Sequence, residues 1–412
     1  MVDIRNYAVV TASYWGFTLT DGALRMLVLL HFHTLGYTPL ELAFLFLLYE
    51  FFGVVTNLLG GWIGSRIGLK ITLYSGIGLQ VFALAMLSLL DPAWERALSV
   101  AYVVAAQGVS GIAKDLTKMS SKSAIKLVVP EDAHSSLFKW VALLTGSKNA
   151  LKGAGFFLGA FLLATLGFEY SLWSMAGGLA IILIAAFSLL PGDLGKAKAK
   201  VKFSRIFSKS RAINLLSAAR FFLFGARDIW FVVGVPIFLY EGLGWSFMQV
   251  GGFLAAWVVG YGMVQAVAPG IVKRSVDGQS AETRAAQVCA FLLAAVPVGI
   301  AVAIEAGVPP TIPVVGGLAV FGVIFAVNSS VHSYLILAFT DADKVALNVG
   351  FYYMANAGGR LFGSLLSGLS YQLWGLTGCL LAASAFLLAT GAITIVLAGE
   401  RRGAMEVRSS EA

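Results

Sequence analysis

The sequence predicts an all-α membrane protein of twelve transmembrane helices, arranged as two pseudo-symmetric halves of six helices each. Three observations support this fold class: an apolar composition, a series of long apolar segments and an internal repeat. Hydrophobic residues make up 58% of the 412 residues and charged residues only 12%, with a mean hydropathy of +0.85. Soluble domains carry about 25% charged residues. Half that density, sustained along the chain, indicates that lipid surrounds most of the protein.

Long apolar segments recur along the whole chain, and a membrane-crossing helix needs about 20 such residues. The segments lie near residues 7–33, 40–64, 71–90, 98–119, 135–165, 170–190, 212–240, 247–272, 285–304, 313–339, 344–370 and 374–398. They predict an N-terminal six-helix bundle over 1–192, a basic linker over 193–211, a C-terminal six-helix bundle over 212–400 and a tail over 401–412.

The basic linker, GDLGKAKAKVKFSRIFSKSR, predicts the orientation in the membrane because basic connecting segments stay in the cytoplasm. Alternation then places both termini in the cytoplasm, and we expect a bacterial inner membrane. The other loops that alternation places inside contain Arg66, Lys70, Lys122, Lys126, Lys273, Arg274, Arg401 and Arg402. Only Arg96 departs from this pattern. The net charge of +8 therefore follows from topology and does not indicate nucleic-acid binding.

The sequence offers no sign of a metal site, a cofactor or an enzyme. Cys289 and Cys379 lie in separate apolar segments, which excludes a disulfide framework and a cysteine metal motif. Four scattered histidines do not supply converging metal ligands. A membrane-embedded enzyme would also need a nucleophile paired with a base, and we find no such pair.

The two halves repeat at an offset of 208 positions. LGYTPLEL at 35–42 recurs as LGWSFMQV at 243–250, and each copy predicts a capping box at a helix start, Thr38 with Glu41 and Ser246 with Gln249. Pro39 suits the first helical position. The same offset aligns Arg66 with Arg274, Lys152 with Arg360, Gly155 with Gly363, and Gly167 with Gly375.

Two six-helix halves joined by a cytoplasmic linker resemble the major facilitator superfamily. GWIGSRIGLK at 61–70 is similar to that superfamily's loop motif, although Ser65 stands where an acidic residue is usual. The glycines Gly146, Gly155 and Gly159 resemble a motif associated with antiporters, with Ala160 in place of its proline. Close packing of helices through small residues explains these glycines equally well.

Charged residues lie deep within the predicted helices, where each costs about 2.5–3.5 kcal/mol. Because the cations outnumber the carboxylates, we expect the remaining positive charge to attract a phosphate or carboxylate group. The predicted substrate-binding residues are Arg25, Lys114, Lys148, Lys152, Arg227 and Arg360, with Asn149, Tyr353 and Asn356 as hydrogen-bonding neighbours. The predicted coupling or gating residues are Asp21, Glu50, Asp115 and Asp228.

Some of these charges have a structural alternative. Asp21 with Arg25, and Arg227 with Asp228, are equally well explained as ion pairs that hold helices together. Two lysines near a cytoplasmic helix end are predicted to reach the membrane surface by snorkelling, Lys118 and Lys122. Arg220, about two turns from the linker, is open to either interpretation.

Three segments resemble the organoarsenical efflux permeases of arsenic resistance, the ArsJ group: TLTDGALRMLVLLHFHTLGY, SGIAKDLTKMSSKSAIK and LTGSKNALKGAGFFLG. This resemblance implies export of 1-arseno-3-phosphoglycerate and hence arsenate resistance. It also implies glyceraldehyde-3-phosphate dehydrogenase as the functional partner that makes this compound from arsenate. A monomer is expected.

We expect transport by alternating access, driven by the membrane potential or by proton exchange through the buried carboxylates. One alternative with the same fold is an importer of organophosphates or an exchanger of phosphate. Another is a proton-coupled multidrug antiporter. Such an antiporter generally selects cations or neutral compounds, so it is expected to have an acidic cavity.

Overall fold

In the computed structural model, all regular secondary structure of the described residues is helical. The backbone is described for residues 4–67, 69–124, 134–190, 210–271, 279–340 and 345–410. Side chains are described within 4–59, 70–121, 147–190, 210–268, 279–340 and 348–399.

Twelve α-helices and one π-helical turn follow one another within the described ranges. In order they are α1 (Ile4–Thr34), α2 (Pro39–Leu45), α3 (Leu47–Ile67), α4 (Leu69–Ser88), α5 (Arg96–Ala124), α6 (His134–Leu189), α7 (Arg211–Phe231), α8 (Gly234–Ile237), the π turn (Phe238–Gly242), α9 (Phe247–Ile271), α10 (Ser280–Glu305), α11 (Thr311–Ala338) and α12 (Val345–Ser410).

These elements correspond to twelve membrane-crossing segments, as the sequence predicts. Helices α6 and α12 each contain a break, at Gly167 and at Trp374–Gly375, so that each provides two segments. Helices α2 and α3 together form one segment, and so do α7, α8 and the π turn. Among the described residues, nine helical segments are long and apolar enough to cross a membrane, and the two that contain these breaks span 43 and 52 residues. Helix α1, with Asp21 and Arg25 within it, is long enough but is not one of the nine.

The internal repeat is confirmed at the level of the backbone. Gly36 and Gly244 have φ of 77° and 67°, and Gly167 and Gly375 have φ of 75° and 59°. Residues with a side chain rarely adopt this left-handed region. Each pair is separated by 208 positions, so both halves turn at equivalent places.

The predicted capping boxes are also present. The Thr38 hydroxyl accepts a hydrogen bond from the Glu41 backbone N–H, while the Glu41 carboxylate accepts one from the Thr38 backbone. Ser246 and Gln249 exchange the same two bonds, at 3.3 Å and 2.8 Å. Because capping depends on residues three positions apart, it could be predicted from the sequence alone.

The chain forms two compact units. Unit 1 comprises residues 1–203 and 244–259, and unit 2 comprises 204–243 and 260–412. In unit 1, α1 packs along α6, while α5 contacts α3 and α4. In unit 2, α7 packs along α12, and α10 contacts both α11 and α12.

Glycines allow α1 and α6 to approach at backbone distance in unit 1. A methyl group added to Gly155 would overlap the Leu19 carbonyl, and one added to Gly159 would overlap the backbone of Ala23. The structure therefore supports the packing interpretation of these two glycines.

In unit 2, the close approach of α7 and α12 uses the equivalent glycine. Gly363 lies against the Gly225 backbone, and Gly359 lies against the backbone of Phe221. Gly155 and Gly363 are counterparts in the repeat, so each half has a glycine-mediated helix pair.

The seventh membrane segment is interrupted, although the sequence predicted one continuous helix over 212–240. Helix α7 ends at Phe231, and the Ser367 hydroxyl accepts hydrogen bonds from the backbone N–H groups of Val233 and Gly234 at 3.1 Å and 3.2 Å. A side chain from α12 thus satisfies polar groups that lipid could not.

Arg96, the exception to the charge pattern, has a local role at the start of α5. Its guanidinium donates to the Glu41 carboxylate at 2.7 Å and to the Gly36 carbonyl at 2.6 Å. It also lies over the Tyr37 ring. These contacts hold the turn before α2 against α5.

Several predicted features lie outside the described side chains. They are Arg66, Lys122, Lys126, Gly146, Lys273, Arg274, Arg401, Arg402 and the linker as far as residue 209. The predicted orientation of the termini stays a prediction.

Candidate functional site

Asp21 on α1 lies at the centre of a buried polar cluster in unit 1. The Tyr49 hydroxyl donates to Asp21 Oδ1 at 2.6 Å, and Lys152 Nζ on α6 is 4.0 Å from Oδ2. Asp21 is only 6% exposed, so these interactions act with little screening by water.

Arg25 pairs with Glu50 and not with Asp21. Its Nη2 is 3.0 Å from Glu50 Oε1 on α3, and the guanidinium also lies over the rings of Phe46 and Tyr49. The predicted pairing of Asp21 with Arg25 is therefore wrong. Glu50 is 1% exposed, and a carboxylate so deeply buried requires a cation, which the long side chain of Arg25 supplies across helices.

Helix α5 adds two lysines and a carboxylate to unit 1. Lys114 Nζ lies 3.8 Å from the centroid of the Tyr49 ring. Asp115 accepts a hydrogen bond from the Thr56 hydroxyl and lies 3.5 Å from Lys118 Nζ.

Lys118 therefore turns inward, where the sequence predicted a snorkelling anchor. Its ammonium donates to Asn57 Oδ1 at 2.8 Å in addition to its ion pair with Asp115. Polar side chains of α3 and α5 thus provide its partners.

In unit 2, a single carboxylate serves two guanidiniums. Arg227 on α7 donates to Asp228 Oδ1, at 2.6 Å from its Nε, and Arg360 Nε on α12 lies 3.1 Å from Asp228 Oδ2. The predicted Arg227 and Asp228 pair is present. Asp228 is 1% exposed, and the trio carries a formal charge of +1.

The two halves repeat one ion pair between their closely packed helices. Lys152 pairs with Asp21 between α6 and α1, and Arg360 pairs with Asp228 between α12 and α7. The basic residues are 208 positions apart and the acidic residues 207. The repeat in the sequence aligned Lys152 with Arg360. It did not show that each pairs with an aspartate, because each aspartate lies on a different helix from its basic partner.

Arg220 on α7 is held by neutral groups. Its Nε donates to Asn356 Oδ1 at 3.0 Å, and its Nη1 donates to the Ser329 hydroxyl and carbonyl at 3.1 Å. The guanidinium stacks 3.8 Å from the centroid of Phe224. In the part of the chain that the structure describes, no carboxylate lies within ion-pair distance of Arg220.

Arg220 is 4% exposed and was not among the predicted site residues. The sequence left its position open because it lies near the linker, and the structure shows that it bonds to Asn356 and Ser329 inside the bundle. The depth of Arg220 within α7 was the one sequence signal for this site.

The remaining predicted residues are half-buried. Lys148 and Asn149 lie on α6, where the adjacent Ser147 hydroxyl accepts a hydrogen bond from Trp15 Nε1 at 3.0 Å. Tyr353 on α12 packs edge-on against Tyr352 with ring centroids 5.5 Å apart.

The deep charges remain positive within each unit. Unit 1 has five basic side chains and three carboxylates: Arg25, Lys114, Lys118, Lys148 and Lys152, with Asp21, Glu50 and Asp115. In the described part of unit 2, the buried or half-buried charged side chains are three basic and two acidic: Arg220, Arg227 and Arg360, with Asp228 and Glu282. Among these described side chains the basic residues outnumber the acidic ones, and five of the basic residues have acidic partners.

Comparisons with known proteins agree with this fold. A family model described as Major Facilitator Superfamily matches residues 8–281. No curated protein matches the chain. A crystal structure of a POT family transporter in complex with a thioalcohol conjugated peptide has a TM-score of 0.75 at 13% identity, covering 95% of each chain. The human organic anion transporter MFSD10 (TETRAN) has a TM-score of 0.63 at 17% identity, covering 94% of this chain and 99% of its own. At these identities the likeness concerns the fold.

Proposed function

The chain belongs to the major facilitator superfamily, and we propose that this multi-pass membrane transporter exports an organic oxyanion that carries more than one negative charge. The observation that carries this proposal is the excess of basic over acidic side chains among the buried and half-buried charged residues that the structure describes in each unit. Asp228 illustrates it, because two guanidiniums share this one carboxylate. A bound oxyanion would balance the net positive charge that these described side chains carry.

The proposed substrate is 1-arseno-3-phosphoglycerate, supplied by glyceraldehyde-3-phosphate dehydrogenase. The resemblance of α1, α5 and α6 to organoarsenical efflux permeases supports this choice. The compound carries a phosphate and an arsenate group, and lysine and arginine side chains bind both as charge-assisted donors. Export of the compound would give arsenate resistance.

In the proposed mechanism, the anion competes with the carboxylates for their basic partners. Asp21 holds Lys152 at 4.0 Å, a weak contact that an incoming oxyanion could replace. Rocking of the halves then exposes the substrate to the outside, as in other transporters of this architecture.

The membrane potential is one source of energy for export. An inside-negative potential favours anion exit by about 2.3 kcal/mol per charge per 100 mV. A proton taken up by Asp21, Glu50, Asp115 or Asp228 is the alternative source of coupling.

An organophosphate importer or phosphate exchanger is the second candidate, because the same cations would bind its substrate. Everted vesicles separate the two directions, since an exporter fills them when they are energised. A multidrug antiporter is less well supported, because the deep charge has the wrong sign for cationic drugs.

Arsenate resistance in arsenate-sensitive bacterial cells tests the proposed function. We expect the chain to raise resistance only when the dehydrogenase is co-expressed. Arg360→Gln should abolish the gain, while Arg211→Gln, at the exposed start of α7, should preserve it. Immunoblots of membranes would establish equal insertion. Resistance that is unchanged by the wild-type chain together with the dehydrogenase would contradict the proposal.

A further inference from the structure

We infer that Arg220, together with Asn328 and His332 of α11, forms a subsite in unit 2 that binds one oxyanion group of the transported substrate. The inference rests on the proposed function and adds three residues to the proposed binding site. Neither the excess of charge around Asp228 nor the resemblance to a family points to this position.

The first support is the way the protein holds the Arg220 charge. Asn356 and Ser329 contribute only neutral oxygens, and Phe224 covers one face of the guanidinium. The remaining terminal nitrogen, Nη2, donates to no group in the described part of the protein. A guanidinium presents its donors as a planar fork, which suits two oxygens of a phosphate, arsenate or carboxylate.

The second support comes from two polar side chains on α11 that have no hydrogen-bond partner among the residues that the structure describes. Both amide atoms of Asn328 and both ring nitrogens of His332 are buried without a hydrogen bond among the described residues. Each side chain is 0% exposed. Buried polar groups are nearly always hydrogen-bonded, so two adjacent exceptions require an explanation.

Helical geometry brings these side chains to the face that holds Arg220. Asn328, Ser329 and His332 project within an arc of about 100° on an α-helix. Ser329 lies in this arc, and its hydroxyl accepts a hydrogen bond from Arg220. Arg220, Asn328 and His332 can therefore supply charge and hydrogen-bond donors to one oxyanion.

The unsatisfied groups also give a test that separates binding from structure. An amide buried without a partner destabilises a fold, so its replacement by an isosteric apolar side chain should be neutral or stabilising. If Asn328 serves only the fold, Asn328→Leu should be harmless. If it binds substrate, the same change should weaken binding while stability is kept.

The experiment is calorimetric binding of 3-phosphoglycerate and of inorganic arsenate to the purified full-length protein, with thermal unfolding measured in parallel. We expect Arg220→Gln to weaken binding tenfold or more, because charge-assisted hydrogen bonds are the stronger class. Asn328→Leu should weaken it several-fold without lowering the unfolding temperature. Arg211→Gln should bind within about twofold of the wild type, since it removes the same charge from the exposed start of the same helix.

Wild-type affinity in Asn328→Leu and in a folded Arg220→Gln would overturn the subsite. If Arg220→Gln does not fold, the affinity and unfolding temperature of Asn328→Leu decide the matter. A wild-type protein that binds neither probe would overturn the subsite together with the proposed function. Binding that depends on Arg220, without dehydrogenase-dependent resistance, would support the subsite and contradict only the proposed export.

Discussion

At the residue scale, the sequence located most of the charges within the helices but not their partners. Arg25 lies four positions from Asp21, which suggested an ion pair, yet Arg25 reaches Glu50 and Asp21 faces Lys152. Pairing across helices depends on which faces meet, and one sequence does not contain that information. The pair of Arg227 with Asp228 could be predicted because the two residues are neighbours on the same helix.

Asp228 provides a prediction at this scale: removing its carboxylate should lower the stability of the fold more than removing one of its two arginine partners. Asp228→Asn removes the buried carboxylate that two half-buried guanidiniums share, and breaking a buried ion pair costs about 3–5 kcal/mol. Arg360→Gln leaves Asp228 paired with Arg227 and should cost less. We expect thermal unfolding of the purified variants to show the larger decrease for Asp228→Asn. Equal decreases would contradict the shared arrangement.

At the element scale, features encoded by neighbouring residues were predictable and those set by packing were not. The capping boxes at Thr38 and Ser246 were read from residues three positions apart, and both are present. The break after Phe231 was missed because its stabilising partner, Ser367, lies on a distant helix. Arg96 likewise departs from the loop charge pattern because Glu41 and Gly36 bind it locally.

The glycine contacts between α1 and α6 give a prediction for an element. Gly159→Ala would place a methyl group against the Ala23 backbone, and overpacking of this kind costs about 1–3 kcal/mol. Gly177→Ala is the matched control on the same helix, since open space surrounds its Cβ position. Alanine should even stabilise that turn by about 0.5–1 kcal/mol. Thermal unfolding temperatures should therefore move in opposite directions, and a tolerated Gly159→Ala would contradict the close helix packing.

At the scale of the whole molecule, the internal repeat allowed the fold to be predicted from one sequence. The same offset of 208 positions relates the turns at Gly36 and Gly244 and the breaks at Gly167 and Gly375. It also relates the cations of two equivalent ion pairs, Lys152 with Asp21 and Arg360 with Asp228. The composition predicted a membrane protein, the recurring apolar segments predicted the number of helices, and the repeat predicted the superfamily. The proposed substrate-binding face was less predictable, because the contacts of Arg220 with α11 and α12 form only in the folded protein.

The most direct test of export is arsenic accumulation in energised everted membrane vesicles that contain this protein. The vesicles would be supplied with arsenate, glyceraldehyde-3-phosphate, NAD and the dehydrogenase. We predict that arsenic enters only when the dehydrogenase is present, and that Arg360→Gln vesicles with equal protein content stay empty. Accumulation that does not require the dehydrogenase, or none in wild-type vesicles, would contradict the export of an organic oxyanion.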